Sequence, residues 1–228
     1  KIEIDREKCN NCGICTSVCF SGALKMSAQE MTVEEVVAEV KKDLVFYKVS
    51  GGGITVSGGE PLCNPLFVSE LLKACKDEGI NTALETCGYV SSESLENVLK
   101  YVDYLLYDIK HIDSNKHEIF TGRPNEIILN NLKLAKNICS SVTVRIPFIP
   151  EFNDSVNEVL SIVEFASSLS IKDVHILPFH KLGSSKYKYL GKKYKMDFAE
   201  SIQEDSEKLQ SLKTIIKDKY NILVNIGG

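Results

Sequence analysis

The sequence predicts an α/β protein built around one sheet of parallel strands. Short apolar segments rich in β-branched residues alternate with amphipathic helical segments about five times, with short links between them. The 228 residues, 43% hydrophobic and 25% charged, are enough to bury one sizeable core. No Pro- or Ser-rich linker and no low-complexity tract divides the chain. These observations indicate a βα-repeated domain, with residues 1–30 as the one candidate for a separate module.

Composition narrows the classes of function. The formal net charge is -4 and the Lys and Arg residues are scattered, so we expect no nucleic-acid partner. No apolar run reaches membrane-spanning length and no signal-peptide pattern opens the chain, so we expect no membrane association and a cytoplasmic location. Because the first residue is Lys1 rather than Met, we expect this start to be a cut inside a longer protein.

Four of the eight cysteines are crowded into a short N-terminal run with the spacing C-x2-C-x2-C-x3-C. The run consists of Cys9, Cys12, Cys15 and Cys19. This is the iron–sulfur spacing of bacterial ferredoxins. A zinc knuckle is the alternative, but zinc sites usually pair two C-x2-C halves and no second half follows downstream. We therefore predict iron–sulfur ligation, with a partner run expected upstream because such runs ligate clusters in pairs.

Capping residues and glycines delimit the elements of the first half. A capping box from Thr32 to Glu35 predicts a helix running to about Tyr47. Residues 51–61, GGGITVSGGEP, indicate a short buried strand, 54–57, that is bracketed by glycines and stopped by a proline without an N–H. Hydrophobic periodicity then predicts helix 65–78, strand 82–86, helix 92–100 and strand 103–109.

The second half continues the alternation. The helix at its end carries apolar residues at helical spacing, including Ile202, Leu209, Leu212 and Ile216. A basic, Tyr-rich loop, 183–195, precedes that helix. The predicted elements are helix 125–138, strand 141–147, a helix from Asn153 or Asp154 to about Leu169, strand 173–179, helix 201–219 and strand 221–226.

Polar residues follow the strands at the edge where parallel α/β folds bind ligands. Gly58–Pro61 follow the first strand, Glu85 and Thr86 close the second, Asp108 and Lys110 close the third, and His180 closes the fifth. Taken singly, a strand-end Asp–Lys pair is more often a surface ion pair, and a His after Pro-Phe is more often a packed loop residue. Together they predict a binding site for a ligand that carries hydroxyls and a carboxylate.

The motifs, in this order, resemble a known family. The ferredoxin run, GGGITVSGGEP, LETCGY, LYDIKH and ILPFHKLG are similar to those of the activating enzymes of glycyl radical enzymes, within the radical S-adenosylmethionine (SAM) superfamily. The resemblance covers essentially the whole chain. It implies a partial (β/α)6 TIM-like barrel over residues 31–228, lacking its first strand here, preceded by an incomplete ferredoxin-like segment over residues 1–30.

The resemblance also implies roles for the residues at the carboxyl ends of the strands, which are called the rim. The backbone of the GGEP segment would take the methionine amino group of SAM, and Glu85-Thr86 would lie near the methionine, where some relatives hold a cation. Asp108 and Lys110 would hold the ribose and the methionine carboxylate, His180 the nucleoside side, and Arg145 would lie on the barrel wall. The implied cofactor-binding residues are Gly58, Gly59, Glu60, Pro61, Glu85, Thr86, Asp108, Ile109, Lys110, Arg145 and His180.

The implied activity is the anaerobic generation of a glycyl radical on a partner glycyl radical enzyme, with flavodoxin or ferredoxin as the reductant and 4Fe–4S clusters as cofactors. The family's C-x3-C-x2-C signature, which holds the catalytic cluster, does not occur in the chain. Its ligands are expected upstream of Lys1, so no catalytic residue is assigned here and the chain alone is expected to be inactive.

Two other functions remain open from the residues themselves. One is an electron-transfer module whose barrel only supports the ferredoxin run, and SAM binding would distinguish it from the radical enzyme. The other is an α/β hydrolase or aldolase with a zinc knuckle, for which metal analysis would find zinc without sulfide.

Overall fold

A computed structural model describes residues 2–227. Lys1, the first residue of the predicted ferredoxin-like segment, and Gly228, the last residue of the predicted barrel, lie outside the described part. Six strands form one sheet in the order of the chain, and every neighbouring pair is parallel. The strands are β1 (Gly53–Val56), β2 (Asn81–Thr86), β3 (Tyr104–Asp108), β4 (Ser141–Phe148), β5 (Asp173–Pro178) and β6 (Leu223–Ile226). The six parallel strands confirm the predicted α/β architecture.

Some helices precede β1, and the others connect successive strands. They are α1 (Ile14–Ser17), α2 (Val33–Val40), α3 (Leu44–Ser50), α4 (Pro65–Asp77), α5 (Ser92–Leu99), α6 (Ser114–Thr121), α7 (Glu126–Ile138), α8 (Val156–Ser168), α9 (Ser184–Tyr189) and α10 (Glu207–Tyr220). Among the described residues, no helix is both long and apolar enough to cross a membrane.

Alternation along each strand separates the two faces of the sheet. Leu84, Tyr107, Val144 and Ile176 are fully buried and belong to the main core between sheet and helices. The intervening residues face the other way, and those near the carboxyl ends, such as Glu85, Arg145 and His175, are only partly buried. The register places Asp108 opposite Arg145, and Arg145 opposite His175, on that second face. Polar residues far apart in sequence therefore meet on one surface.

The helices differ from prediction in two places. The helix predicted from Thr32 to about Tyr47 is divided into α2 and α3 by a 3₁₀ turn at Lys41–Asp43, and both parts pack on the cluster of Leu71, Cys75 and Ile80. The helix predicted over 201–219 begins only at Glu207.

The late start of α10 has a tertiary cause. Ile202 N–H donates to the Phe179 carbonyl at 2.9 Å, and the Ile202 side chain packs against the core. The segment before α10 is therefore held at the end of β5 and contains a turn at residues 204–205, although its apolar spacing fits a helix.

The four-residue α1 within the Cys run was not predicted, nor were two helices further along the chain. The side chain of Asp113 caps α6 by accepting from Lys116 N–H at 3.0 Å, and Gly122 ends it in the left-handed conformation. The other is α9, which lies in the segment predicted to be a basic loop. Both are short, so their hydrophobic periodicity is weak.

Candidate functional site

Arg145 is the centre of a charged cluster on the concave face of the sheet. Its Nε donates to Asp108 Oδ1 at 3.0 Å, and its Nη2 donates to the same oxygen at 2.9 Å and to Glu85 Oε1. Lys110 Nζ lies 3.6 Å from Asp108 Oδ2. Arg145 thus joins Glu85 to Asp108, and Asp108 in turn brings Lys110 into the same cluster.

The cluster contains two acidic side chains, Glu85 and Asp108, and two basic side chains, Arg145 and Lys110. Burial by itself would lower the pKa of Arg145, but the hydrogen bond to Glu85 and the charge of Asp108 outweigh it, so the pKa is raised. The guanidinium of Arg145 therefore stays positively charged. Since Asp108 Oδ1 accepts from Arg145, the side of Asp108 nearest Lys110 remains available to a ligand.

The GGEP segment presents its backbone to the surface. Gly58 and Gly59 are exposed, and a Cβ on either would meet no atom within 4 Å. Gly58 has a φ of +130°, which favours glycine. Space for a ligand against the main chain is therefore present, as predicted from the glycine pair.

The carboxylate of Glu60 ties the GGEP segment to the end of β2. It accepts from Thr86 Oγ1 at 2.5 Å, from Cys87 N–H at 2.9 Å and from Leu62 N–H at 3.1 Å. These bonds fix the loop after β1 relative to the loop after β2. The contribution of Glu60 to the predicted site is therefore its backbone, because its side chain is used in the scaffold.

Two of the predicted cofactor-binding residues have buried side chains. Thr86 is 1% exposed and donates to Glu60, and Ile109 is 1% exposed and packs in the core. Each follows a cleft-facing residue by one position, so strand alternation turns its side chain to the opposite face. Their part in binding a cofactor stays a prediction.

Two cavities open on either side of the charged cluster. The larger, about 840 Å³, is lined by Glu85, Arg145 and His180 together with residues 201–205. His180 is exposed at its wall. The smaller, about 270 Å³, has Glu60, Cys63, Cys87, Lys110 and His117 among its lining residues. The larger cavity has room for a nucleoside-sized ligand beside the predicted residues.

Two titratable groups that line the smaller cavity, Cys87 and His117, are shifted toward their neutral forms. Burial, and then Glu60, raise the pKa of Cys87 to about 11, so it remains a thiol at neutral pH. Burial lowers the pKa of His117, whose Nδ1 lies 2.7 Å from the Arg123 carbonyl oxygen. The carbonyl can only accept, so Nδ1 carries the proton of the neutral ring.

The turn after Cys87 requires a glycine. Gly88 has a φ of +69°, and a Cβ at this position would lie 1.8 Å from Tyr107 Oη. That hydroxyl is fixed by its own hydrogen bond to the Ile128 carbonyl at 2.8 Å. The glycine of the LETCGY motif therefore lets the loop after β2 lie directly on β3.

Three buried asparagines hold the loops of the rim, and they were not predicted. Asn131 donates to the Gly88 and Val90 carbonyls, both at 2.8 Å. Asn153 donates to the Lys110 and Pro147 carbonyls, both at 2.7 Å. Asn125 does the same for the carbonyls of residues 111 and 112. Asn131 lies inside α7, Asn125 precedes that helix, and Asn153 was predicted as a possible cap of α8, which Ser155 caps instead. Nothing in the sequence marks these residues as clamps of the loops.

The cysteines of the run are free thiols, and Cys12 and Cys15 are exposed. Cys19 Sγ accepts from Leu24 N–H at 3.4 Å and lies 3.5 Å from Ser21 Oγ. The hydrogen bond with Ser21, and then that from Leu24, lower the pKa of Cys19. Within residues 2–227, no three His, Cys, Asp or Glu side chains converge on a metal position. The donor chemistry suits an iron–sulfur cluster, and ligation requires the thiols to move together.

Comparisons with known proteins agree with this geometry. A family model described as the radical SAM superfamily matches residues 7–166. The trans-4-hydroxy-L-proline dehydratase activating enzyme of Clostridioides difficile is 40% identical, over 98% of this chain and 84% of that protein. The isethionate sulfite-lyase activating enzyme of Oleidesulfovibrio alaskensis is 41% identical, over 86% of this chain and 64% of that protein.

A solved structure is similar as well. It is a domain of the pyruvate-formate lyase-activating enzyme from Bacteroides vulgatus, with a TM-score of 0.63 and 30% sequence identity. The similarity covers 78% of this chain and 99% of that domain.

Proposed function

This chain belongs to the radical SAM superfamily, within the group of glycyl radical enzyme activating enzymes, and we propose that it serves to generate a glycyl radical on a partner enzyme. The observation that carries the proposal is the juxtaposition of Asp108, Lys110 and Arg145 with the exposed Gly58–Gly59 backbone at one edge of the sheet. The names of the similar proteins, all activating enzymes, support it.

The chain's own residues are proposed to bind and orient SAM. The main chain of Gly58–Gly59 takes the amino group, Lys110 takes the methionine carboxylate, and Asp108 takes the ribose hydroxyls. His180 lies on the wall of the larger cavity, beside which the nucleoside fits. When bound, a reduced 4Fe–4S cluster and SAM supply the radical that takes a hydrogen atom from a glycine of the partner.

The rim also controls what reaches the reacting atoms. Arg145 and its two carboxylates form a hydrogen-bonded floor whose charges are balanced only with Lys110, so SAM meets fixed charges rather than mobile water. The proposal includes a monovalent cation near Glu85. The carboxylate of Glu85 is already paired with Arg145.

The partner and the reductant are parts of the same proposal. The partner is a glycyl radical enzyme whose glycine-bearing segment is the substrate, and a flavodoxin or ferredoxin delivers the electron. A cytoplasmic location fits eight cysteines that form no disulfide among the described residues. The division into a ferredoxin-like segment, 1–30, and a barrel, 31–228, is proposed on the position of the Cys run.

SAM binding tests the proposed function directly. Lys110→Ala and Asp108→Asn each remove a charge that contacts the ligand, which typically costs roughly 1.5–3 kcal/mol, or one to two decades in affinity. Calorimetric titration with SAM measures the affinity. Lys213→Ala, an exposed lysine on α10, is the control and should bind SAM like the unaltered chain.

Equal affinities in all three variants would mean that the rim is not the SAM site. A chain that binds no SAM but still acquires iron and sulfide would instead favour an electron-transfer module.

A further inference from the structure

Two buried asparagines hold the backbone of the loop after β3, residues 109–113, which is called the Lys110 loop. Asn153 donates to the Lys110 carbonyl at 2.7 Å, and Asn125 donates to the carbonyls of residues 111 and 112 at 2.6 and 2.9 Å. The N–H of residue 109 donates to a carbonyl of β4 at 2.9 Å. The backbone of the loop is therefore bonded before, at and after the lysine.

His111, the residue after Lys110, is buried, and both nitrogens of its ring have partners. Nδ1 accepts from Asp113 N–H at 2.8 Å, and Nε2 lies 3.3 Å from Glu158 Oε1 in the first turn of α8. Because a backbone N–H can only donate, Nδ1 carries no proton and Nε2 donates its proton to the carboxylate. The ring of His111 therefore closes the Lys110 loop on itself and attaches it to α8.

Aromatic stacking fixes the orientation of the His111 ring. Its centroid lies 5.6 Å from that of Phe152, with 29° between the two planes. Phe152 is itself 4% exposed and stacks on Phe120 at 4.3 Å. Turning the His111 ring would break the stack and both hydrogen bonds together, so the loop beside Lys110 has one defined conformation.

The Lys110 ammonium is held loosely in comparison. Its Nζ lies 3.6 Å from Asp108 Oδ2, which is long for a hydrogen bond, and the side chain is 29% exposed. A lysine side chain loses much rotamer freedom when a ligand orders it, and a backbone that is already fixed reduces what remains to be ordered. Where the ammonium can reach therefore depends on how the Lys110 loop is anchored.

We propose that His111 is a positioning residue for SAM: by anchoring the Lys110 loop to α8, it sets where the Lys110 ammonium meets the methionine carboxylate. This inference rests on the proposed function, in which Lys110 takes that carboxylate. A buried histidine with satisfied hydrogen bonds can also serve the fold alone. The two roles differ in one respect: a positioning residue acts through Lys110, so its effect on SAM binding disappears when the lysine side chain is removed.

A double-mutant cycle separates the two roles. His111→Phe keeps a ring to stack on Phe152 and removes both nitrogens. In calorimetric titration with SAM, this variant should bind about three- to tenfold more weakly than the unaltered chain, the loss expected for one misplaced hydrogen bond. On the Lys110→Ala background, the same change should alter the affinity by less than about twofold. Equal losses on both backgrounds would overturn the proposal, and so would no loss on either.

His117→Phe is the matched control. His117 is equally buried, and its Nδ1 lies 2.7 Å from the Arg123 carbonyl oxygen in a different turn. Any effect of this change on SAM affinity should be the same with and without the Lys110 side chain. Circular dichroism establishes that each variant is folded at the temperature of the titration.

Two conservative variants test the ring nitrogens separately. The side-chain oxygen of His111→Asn can accept at the place of Nδ1, and the side-chain amide of His111→Gln can donate at the place of Nε2. Each should recover part of the SAM affinity that His111→Phe loses. Affinities no better than that of His111→Phe in both variants would contradict anchoring by the ring nitrogens.

The reactivity of the Lys110 amine provides a measurement that does not need SAM. Acetic anhydride treatment followed by peptide mass spectrometry compares the acetylation of Lys110 with that of the exposed Lys213 in the same sample. His111→Phe should raise the rate at Lys110 relative to Lys213, and His117→Phe should leave the ratio unchanged. An unchanged ratio in His111→Phe would overturn the proposal whether or not SAM binds. Failure of the unaltered chain to bind SAM would instead count against the proposed function.

Discussion

At the scale of single residues, partly buried charged side chains each hydrogen-bond to several partners. Arg145 satisfies two carboxylates at once, and Glu60 accepts from three donors on two loops. Each such group makes the conformation of its neighbours more definite, because leaving a buried polar atom unpaired costs about 1–3 kcal/mol. The site is therefore rigid where charges meet and accessible where glycines replace side chains.

The thiol of Cys87 should be slow to react. Burial and the nearby Glu60 raise its pKa to about 11, and only the thiolate is a nucleophile. Below that pH, iodoacetamide should label Cys87 much more slowly than the exposed Cys63, which lines the same cavity. Peptide mass spectrometry at successive times measures both rates, and the rate at Cys87 should rise as the pH approaches 11. Equal rates at neutral pH would show that Cys87 is not shielded.

Asn153 should position Lys110. In Asn153→Asp the carboxylate cannot donate to the Lys110 and Pro147 carbonyls, so we expect a stability loss of about 1–3 kcal/mol in urea unfolding. We also expect weaker SAM binding at temperatures where the variant is folded. Asn131→Asp is the matched control, since Asn131 is equally buried and clamps a different loop. The role would be contradicted if both variants changed SAM affinity by the same factor.

At the scale of elements, helix ends determine how the rim is assembled. The first turn of α8 carries a capping box in which Ser155 N–H donates to Glu158 Oε2 at 3.2 Å and Glu158 N–H donates to Ser155 Oγ at 3.3 Å. The other carboxylate oxygen of Glu158 accepts from Lys116 of α6 at 2.6 Å and lies 3.3 Å from His111 Nε2. One carboxylate thus joins α6, α8 and the loop after β3.

Acid should weaken this junction. Burial acts to raise the pKa of Glu158, but hydrogen bonds from Lys116, Ser155 and His111 outweigh it and lower the pKa to about 2. A depressed carboxyl pKa stabilises the fold fully above the ordinary value of 4.5, and this contribution is lost as the pH falls through about 2. Glu158→Gln should therefore be less stable than the unaltered chain at pH 7, with the difference shrinking toward pH 2.

Chemical unfolding followed by circular dichroism, at steps of pH, measures the free energy of unfolding for both chains. Glu96→Gln, on an exposed part of α5, is the control and should follow the unaltered chain at every pH. A stability difference for Glu158→Gln that is independent of pH would contradict the electrostatic explanation.

At the scale of the molecule, the chain carries two kinds of chemistry in different segments. The carboxyl ends of β1–β5 carry the predicted SAM residues, and the segment before α2 carries four closely spaced thiols. Arg6 of that segment contacts the lysine-rich segment after β5, so the thiols and the barrel are joined at a second place besides the chain itself.

Iron binding by the run tests this arrangement. After anaerobic reconstitution with iron and sulfide, Cys12→Ser together with Cys15→Ser should lower the iron content by about one cluster and reduce the visible absorbance, because thiolates are the cluster ligands. Cys75→Ser together with Cys139→Ser is the control, since both thiols are buried in the core. Iron content unaffected by loss of Cys12 and Cys15 would mean that the run is not a cluster site.

Much of the fold and the rim could be read from residue types and spacing alone. Alternating apolar periodicity predicts the six strands, and polar residues at strand ends predict Asp108, Lys110 and His180, because in parallel sheets those ends share one edge. The Cys run likewise carries its own chemistry in its spacing. Local patterns such as these are sufficient wherever neighbouring residues decide the outcome.

Tertiary structure decided which side chains meet. Arg145 pairs with Glu85 sixty positions away and with Asp108 thirty-seven positions away, and only the register of parallel strands makes those pairs. Strand alternation likewise turned Thr86 and Ile109 into the interior, and a hydrogen bond to Phe179 kept residue 202 out of α10. The physical reason is that a charge or a buried amide is satisfied by whatever the fold places within 3 Å, and sequence distance carries no information about that partner.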